Sequence, residues 1–233
     1  MIKSLKLVCL FFRKRIGRMF EIRVHGLGGQ GAVTLVTWLA RLAYNSGKRV
    51  QAFPFFGAER RGAPVKAFLR IDEKPIDLRS QIYRPDLLVV MSPDLVRLAL
   101  EEGISPDGRV LIDADSELAQ GLANRFGRDF KYLDATGISL GLGLEYDGIP
   151  MTNVPMFAAI SGEIGLGELD EMLKVLGKVV RRSEKDSYVE ALKAGLDGVR
   201  IACSSSKVVE EAFVSEGKET GKFRGTAIEL EIE

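Results

Sequence analysis

The chain alternates between two hydrophobic periods from residue 20 to about residue 199. Apolar residues recur at every second position, or form short continuous runs, in six segments that predict β-strands: residues 20–25, 49–53, 64–71, 86–91, 110–113 and 130–134. Between and after these segments, apolar residues return every three or four positions, which predicts amphipathic helices. Strands that alternate with helices favour an α/β fold, a layered Rossmann-like domain with a mostly parallel sheet and helices on both faces.

The first helix is predicted over residues 32–46. Four of its apolar residues share one face of a 3.6-residue period: Val36, Leu39, Ala40 and Ala43. Gly47, directly after the predicted helix, is a typical stop signal. A later helix start is predicted at Ser92, with Ser92 as the N-cap and Pro93 in the first turn. Beyond Thr152 the pattern is mainly helical, with two further amphipathic stripes: Leu169, Met172, Leu173 and Leu176, then Tyr188, Ala191, Leu192 and Gly195.

Three parts follow from the patterning: a doubtful N-terminal extension over residues 1–18, a main domain over 19–199, and a linker-like tail over 200–233. The extension holds six basic residues and no acidic one, and its apolar run precedes the charges, the reverse of a secretory signal. It is a membrane-surface helix, a partner-binding arm, or translated sequence upstream of a start at Met19; we favour the last. In the tail, residues 227–233 alternate apolar residues with glutamate, which predicts a half-buried edge strand.

Composition narrows the function classes. With 46% hydrophobic and 28% charged residues, the 233-residue chain is an ordinary globular protein and not a disordered one. A net charge of +1 argues against nucleic acid as a partner, and no apolar run is long enough to span a membrane. Two cysteines and one histidine supply neither a disulfide framework nor the ligands of an iron–sulfur cluster. We therefore expect a cytoplasmic protein that binds no metal itself.

A glycine-rich loop follows the first predicted strand and precedes the first helix. Its residues fit the G-x-G-x-x-G pattern: Gly26-Leu27-Gly28-Gly29-Gln30-Gly31. Glycines allow a tight turn and a close backbone approach to phosphate, and the helix start offers unpaired N–H groups. A dinucleotide site also needs an acidic residue about 20 positions further on, and residues 48–53 contain none. NAD binding, and a turn that binds no ligand, remain as alternatives.

Residues 51–64 form an aromatic and arginine-rich loop at the carboxyl end of the second predicted strand. From residue 48 to residue 84 there are nine basic residues and four acidic ones, inside a main domain with an acidic balance. Guanidinium groups bind phosphate, so Arg60 and Arg61 suit a phosphate-bearing ligand. The alternative is that the phenylalanines are core residues and that the arginines form a solvated surface with Glu59.

These two loops resemble one known family. Residues 25–34 and 51–65, in this order and spacing, are similar to the gamma subunit of pyruvate (2-ketoacid) ferredoxin oxidoreductase, and the likeness extends through Asp134-Ala135-Thr136-Gly137 and Thr152-Asn153 to about Val199. The loop sequence resembles the pyruvate and branched-chain ketoacid members more than the 2-oxoglutarate members. Leu27 stands where many members have arginine, and the tail after Val199 has no counterpart.

The resemblance implies a subunit of a cytoplasmic complex that converts a 2-oxoacid and coenzyme A to acyl-CoA and CO2, and reduces ferredoxin. It implies alpha, beta and delta partner subunits that hold thiamine diphosphate, Mg2+ and the iron–sulfur clusters, while this chain binds coenzyme A and packs against them. The isolated chain is expected to be inactive and to carry no catalytic residue. The candidate coenzyme A residues are Gly26, Gly28, Gly29, Gln30, Gly31, Thr34, Phe56, Gly57, Glu59, Arg60, Arg61 and Gly62.

Two other functions remain open at this stage: a free-standing NAD(P)-dependent oxidoreductase and a structural scaffold that binds no ligand. Two further residues also have two interpretations. His25 is the only histidine and precedes the glycine loop, but a hydrogen-bonded residue at a strand end is favoured over a ligand contact. Asn153 is either a helix cap or a ligand contact.

Overall fold

A computed structural model describes residues 18–55, 62–180 and 182–205. In these ranges the strands are β1 Phe20–Leu27, β2 Arg49–Phe55, β3 Pro64–Asp72, β4 Leu87–Val90, β5 Arg109–Asp113, β6 Phe130–Leu133, β7 Glu145–Tyr146, β8 Ile149–Pro150 and β9 Arg200–Ala202. The helices are α1 Ala32–Asn45, α2 Val96–Glu101, α3 Ser116–Phe126, α4 Ala135–Gly141, α5 Asn153–Glu163, α6 Leu169–Leu176 and α7 Lys185–Gly198. Short 3₁₀ turns lie at Pro93–Leu95, Gly177–Val179 and Arg182–Glu184.

Seven of the described strands form one sheet in the order β2-β3-β1-β4-β5-β6-β9. Strand β1 pairs in parallel with β4, β4 with β5, and β5 with β6. Strand β3 runs antiparallel to both β1 and β2, and β9 runs antiparallel to β6. Five of the seven strands therefore share one direction, and the predicted α/β fold with a mostly parallel sheet is confirmed.

The position of β3 was not predicted. The connection from β2 to β3 is too short for a helical crossover, so the two strands form a hairpin. The hairpin then adds to β1 through β3, with a continuous register from Phe20 opposite Ile71 to Leu27 opposite Pro64. Strand β2 is consequently an edge strand and does not touch β1.

Helices cover both faces of the sheet. The larger core packs α1, α5, α6 and α7 against one face, and Trp38 and Phe157 meet in it with ring centroids 5.8 Å apart. The smaller core packs α2 and α3 against the other face of β4, β5 and β6. Because α1 and α2 follow β1 and β4 but lie on opposite faces, the carboxyl ends of β1 and β4 form a topological switch point.

Arg23 in β1 connects the sheet to two neighbouring segments. Its guanidinium is 1% exposed and donates four hydrogen bonds, all to backbone carbonyl oxygens. Nη1 reaches Ile82 O at 3.1 Å and Tyr83 O at 3.0 Å, and Nη2 reaches Ala99 O at 2.8 Å and Gly103 O at 2.6 Å. One side chain thus holds the end of α2 and the segment before β4 against β1.

Some local predictions differ from the structure. Ser92 precedes a 3₁₀ turn that leads into α2, and its side chain makes no capping hydrogen bond. Side-chain caps occur instead at Asp115, which accepts from Leu118 N, and at Asp134, which accepts from Gly137 N. Residues assigned to the tail form β9, which pairs with β6. The predicted extension (apart from Arg18) and the predicted strand over 227–233 lie outside the described residues.

Candidate functional site

The glycine loop is a closed turn between β1 and α1. Gln30 braces it from within, because its backbone N–H donates to Leu27 O at 3.0 Å and its side-chain Oε1 accepts from Leu27 N at 2.7 Å. Gly29 has φ +101° and Gly31 has φ +80°, a backbone region that favours glycine. A Cβ at Gly26 would lie 3.2 Å from the Cβ of Ala32, so Gly26 allows α1 to pack close to β1.

Helix α1 begins without a side-chain cap. Its N-cap is Gly31, and the first backbone bond of the helix runs from Leu35 N to Gly31 O at 2.8 Å. The described residues offer no acceptor to the N–H groups of Ala32, Val33 and Thr34. Three unpaired donors at the positive end of a 14-residue helix favour an anion.

These donors face a cavity of about 750 Å³. One wall is the glycine loop and the first turn of α1. Another part of the wall is the β7–β8 hairpin, whose two-residue turn has positive φ at both Asp147 (+55°) and Gly148 (+73°). Tyr146, at the end of β7, is 72% exposed and also lines the cavity. The remaining lining is mainly apolar: Trp38, Val65, Pro150, Met151 and Val179. The volume and mixed lining are typical of a small-molecule site.

The carboxyl end of the arginine-rich loop is bonded to the glycine loop. Gly28 N donates to Ala63 O at 2.8 Å, and Gly62 N donates to Gly28 O at 3.2 Å. These two bonds bring Gly62 next to the cavity wall, although Gly62 does not line the cavity itself. The predicted ligand residues Phe56, Gly57, Glu59, Arg60 and Arg61 lie outside the described residues.

The structure brings most of the other predicted residues together. The cavity is lined by Gly28, Gly29, Gln30, Gly31 and Thr34, whereas Gly26 supports the turn from below. Sequence reasoning missed the hairpin, although Asp147-Gly148 between Tyr146 and Ile149 is a recognised two-residue turn signal. Ile149 contributes directly to the site, since its Cδ1 would lie 3.2 Å from a Cβ at Gly29.

The Asp134-Ala135-Thr136-Gly137 segment lies at the same edge of the sheet but does not line the cavity. Asp134 caps α4, and the buried Asp113 at the end of β5 accepts from Thr136 Oγ1 at 2.8 Å and from Thr136 N at 3.1 Å. Burial raises the pKa of Asp113 to about 6, although the bonds from Thr136 oppose the shift. This segment therefore has a structural role in holding α4 to β5.

His25 does not contact the cavity. It is 1% exposed, and among the described residues its Nε2 has no hydrogen-bond partner, so the interpretation as a hydrogen-bonded residue is wrong for that atom. The nearest carboxylate oxygen, on Glu102, is 3.9 Å from Nε2. Burial first, then the positive charges of Arg23 and Lys66, lower the pKa of His25 to about 3. The imidazole is therefore neutral at physiological pH.

Neutral burial of His25 predicts a pH-dependent loss of stability. The pKa is near 3 in the folded protein and 6.5 when unfolded, so the unfolded chain binds the additional proton as pH falls below 6.5. Stability from this group is complete above pH 6.5 and falls by about 1.4 kcal/mol per pH unit, to a total of about 5 kcal/mol at pH 3. Urea unfolding from pH 7 to pH 4 measures it.

The control for this prediction is His25→Phe, which keeps a ring but does not titrate. Below pH 6.5 the wild type should lose unfolding free energy steadily relative to the variant as pH falls. The contribution of Asp113 is common to both proteins and cancels. Parallel pH profiles for the two proteins would contradict the assigned pKa.

The fold also bears on dinucleotide binding. In such sites the acidic residue ends a strand adjacent to the first one, where it reaches the ribose. Here β3 occupies that position beside β1 but runs antiparallel, so its final residue Asp72 lies at the other edge of the sheet, and β2 contains no acidic residue. The described residues therefore do not form the acidic half of an NAD site.

Within the described ranges, no helix is both long and apolar enough to cross a membrane. The same ranges contain no group of three or more histidine, cysteine, aspartate or glutamate side chains placed to hold a metal ion.

An uncapped helix after a glycine loop, at the switch point of an α/β sheet and facing a cavity, is the arrangement at which Rossmann-like domains bind ligands. Comparison with known proteins then identifies its family. The family model for pyruvate ferredoxin/flavodoxin oxidoreductase matches residues 21–199, and the chain belongs to that family. It is a gamma subunit of a pyruvate/ketoisovalerate ferredoxin oxidoreductase, an oxidoreductase complex of several subunits, as the resemblance predicted.

Individual relatives agree. The chain is 41% identical over 199 residues to the pyruvate/ketoisovalerate oxidoreductases common subunit gamma of Thermococcus kodakarensis, which covers 84% of this chain and 96% of the relative. It is 36% identical to pyruvate oxidoreductase subunit PORC of Thermotoga maritima, with a TM-score of 0.65 over 79% of this chain and 99% of that one. A 2-oxoglutarate:ferredoxin oxidoreductase from Magnetococcus marinus, with coenzyme A bound, shares the fold alone at 16% identity and a TM-score of 0.58, covering 76% of this chain and 30% of that one.

Proposed function

We propose that this subunit binds coenzyme A for the oxidative decarboxylation of a 2-oxoacid, and that it packs against the subunits that carry out the redox chemistry. One observation carries the proposal: the cavity joins three unpaired helix N–H donors to an extended apolar wall. Coenzyme A has the matching chemistry, because a diphosphate and a long pantetheine arm lie in one molecule.

Each end of the cavity suits one part of this ligand. The donors of Ala32, Val33 and Thr34 suit the diphosphate, since a helix N-terminus stabilises negative charge by about 0.3–1 kcal/mol or more when partly buried. The apolar residues Trp38, Val65 and Met151 suit the pantetheine arm. Gly62, the next residue after Arg61, is hydrogen-bonded to the glycine loop. We therefore assign Arg60 and Arg61 to the binding of the phosphate groups.

The rest of the reaction belongs to other chains in this proposal. Alpha, beta and delta subunits hold thiamine diphosphate, Mg2+ and the iron–sulfur clusters, and the complex passes electrons to ferredoxin in the cytoplasm. Thiamine diphosphate supplies the decarboxylation chemistry and the clusters accept electrons. This chain orients the thiol-bearing ligand, and by itself it is inactive.

Ligand-induced stabilisation tests the proposal on the full-length chain and on the complex. Coenzyme A is expected to raise the melting temperature in a concentration-dependent way, whereas NADPH at equal concentration is expected to leave it unchanged. A shift with NADPH alone would favour the free-standing oxidoreductase. No shift with coenzyme A in either preparation would contradict the proposal.

A double substitution separates ligand binding from a purely structural role. Arg60→Ala with Arg61→Ala is expected to raise the KM for coenzyme A by about 100-fold or more, because each guanidinium bond to phosphate contributes about 1.5–3 kcal/mol. The complex should still assemble. Arg79→Ala with Arg84→Ala removes the same charge from two exposed positions and is the matched control. Equal KM values for the two double variants would support the scaffold alternative.

A further inference from the structure

Asn153, the first residue of α5, has a polar side chain that the described protein does not use. The residue is only 6% exposed, yet it lines the cavity. No described residue accepts from its Nδ2 or donates to its Oδ1. Its carboxamide is not among the fully enclosed polar atoms, so it is open to the cavity and free to bond to a ligand there.

Asn153 does not act as a helix cap. The N-cap of its own helix is Thr152, which makes no side-chain capping bond, and α1 has no side-chain cap either. The carboxamide nevertheless lies against the start of α1. A Cβ on Gly31 would lie 2.5 Å from Asn153 Nδ2 and 3.0 Å from its Cγ. The absence of a side chain at Gly31 therefore makes the room in which the carboxamide lies.

Three backbone donors and one side-chain amide thus lie together at a single place. The N–H groups of Ala32, Val33 and Thr34 are unpaired, and Asn153 Nδ2 lies beside the N-cap that precedes them. All four residues line the same cavity. A ligand group with several acceptor oxygens would satisfy every one of these donors, and phosphate is such a group.

We propose that Asn153 is a ligand-binding residue whose Nδ2 donates to a phosphate oxygen held at the N-terminus of α1. The inference rests on the proposed function, because it assigns a contact to the diphosphate of coenzyme A. It adds a residue from α5, a helix far from the glycine loop in sequence. The phosphate subsite then joins two helices, so that ligand binding also fixes α5 against α1.

Because the proposed contact joins an amide donor to a negatively charged phosphate, a change of charge at residue 153 tests it. Asn153→Ala removes the donor and is expected to weaken the binding of coenzyme A about tenfold, as for the loss of one hydrogen bond to a charged group. Asn153→Asp keeps the size but places a carboxylate beside the phosphate, and the loss should be about 100-fold or more. Isothermal titration of coenzyme A into the full-length chain and the complex measures both.

Two controls accompany these variants. Asn124→Asp introduces the same charge at an exposed position in α3, and it should bind coenzyme A like wild type. Pantetheine, which has no phosphate, should bind wild type and Asn153→Ala within about twofold of each other. If the melting temperature of unliganded Asn153→Asp shows that it is unfolded, Asn153→Ser replaces it, with an expected loss equal to that of Asn153→Ala.

The outcomes separate the inference from the function. If wild type binds coenzyme A and both Asn153 variants bind it equally well, the inference is wrong while the proposed function stands. If Asn153→Asp binds coenzyme A tightly and Asn153→Ala binds it weakly, the inference is also wrong. In that case residue 153 accepts a hydrogen bond from the ligand through Oδ1 and does not donate one. If wild type does not bind coenzyme A at all, the proposed function fails first and the inference fails with it.

Discussion

Gly31→Ala is expected to lower the free energy of unfolding by about 2–5 kcal/mol and to weaken coenzyme A binding more than any other single glycine substitution in the loop. Two effects add. A φ of +80° costs alanine about 1–2 kcal/mol, and the new Cβ would meet Asn153 Nδ2 at 2.5 Å, which adds about 1–3 kcal/mol of overpacking. Urea unfolding and isothermal titration measure the two losses.

The chain offers a matched control at the other end of α1. Gly47 has φ +81°, and nothing lies within 4 Å of the position of its Cβ. Gly47→Ala therefore carries the backbone penalty without the clash. We expect it to lose about 1–2 kcal/mol and to bind coenzyme A normally. Equal losses of stability in the two variants would show that Asn153 does not restrict residue 31.

A double-mutant cycle isolates the clash itself. In an Asn153→Ala background the new Cβ at position 31 meets no carboxamide, so Gly31→Ala should cost only the backbone penalty. The expected coupling energy between the two positions is about 1–3 kcal/mol. A coupling energy near zero would place the origin of the Gly31→Ala effect elsewhere.

Arg23→Met is expected to destabilise the fold by about 3–5 kcal/mol, because four buried or partly buried carbonyl oxygens lose their donor at once. Within the described ranges no carboxylate bonds to this guanidinium, and burial lowers the pKa of Arg23 from its ordinary value. The carbonyl dipoles compensate the charge together with the nearby negative charge of Glu102. Methionine fills much of the volume, so the loss reports on the polar contacts and not on a cavity.

An exposed arginine is the control for this substitution. Arg97 makes a surface pair with Glu101 one turn along α2, at 2.8 Å. Water screens pairs of this kind, so Arg97→Met should leave the free energy of unfolding almost unchanged. Chemical denaturation of both variants provides the comparison. A loss below about 1 kcal/mol for Arg23→Met would contradict the role of the four carbonyl bonds.

Local elements were predictable because their determinants are local. Helix α1 was expected over residues 32–46 and extends over Ala32–Asn45, since its apolar face and stop signal lie within the segment itself. The glycine loop was recognised for the same reason. The hairpin at Asp147-Gly148 carried an equally local signal and could have been found.

Other features depend on which segments meet in space. The β2–β3 hairpin pairs with β1 through β3, and no periodic pattern indicates which strand becomes the neighbour of β1. The unpartnered Nε2 of His25 was also not predictable, because the strand pattern shows burial but not the surrounding groups. No sequence motif marks Arg23, and only the tertiary structure places four carbonyl oxygens around it.

The sequence by itself determined the fold class, the family and the glycine loop at the start of α1, because these depend on periodicity and on short contiguous motifs. Only the tertiary structure decided what faces that loop. It places the β7–β8 hairpin against the glycine loop in the cavity wall, and it packs Asn153 into the space left by the missing Cβ of Gly31. The physical reason is that a glycine in sequence shows only conformational freedom, whereas the neighbour that requires it comes from a distant helix.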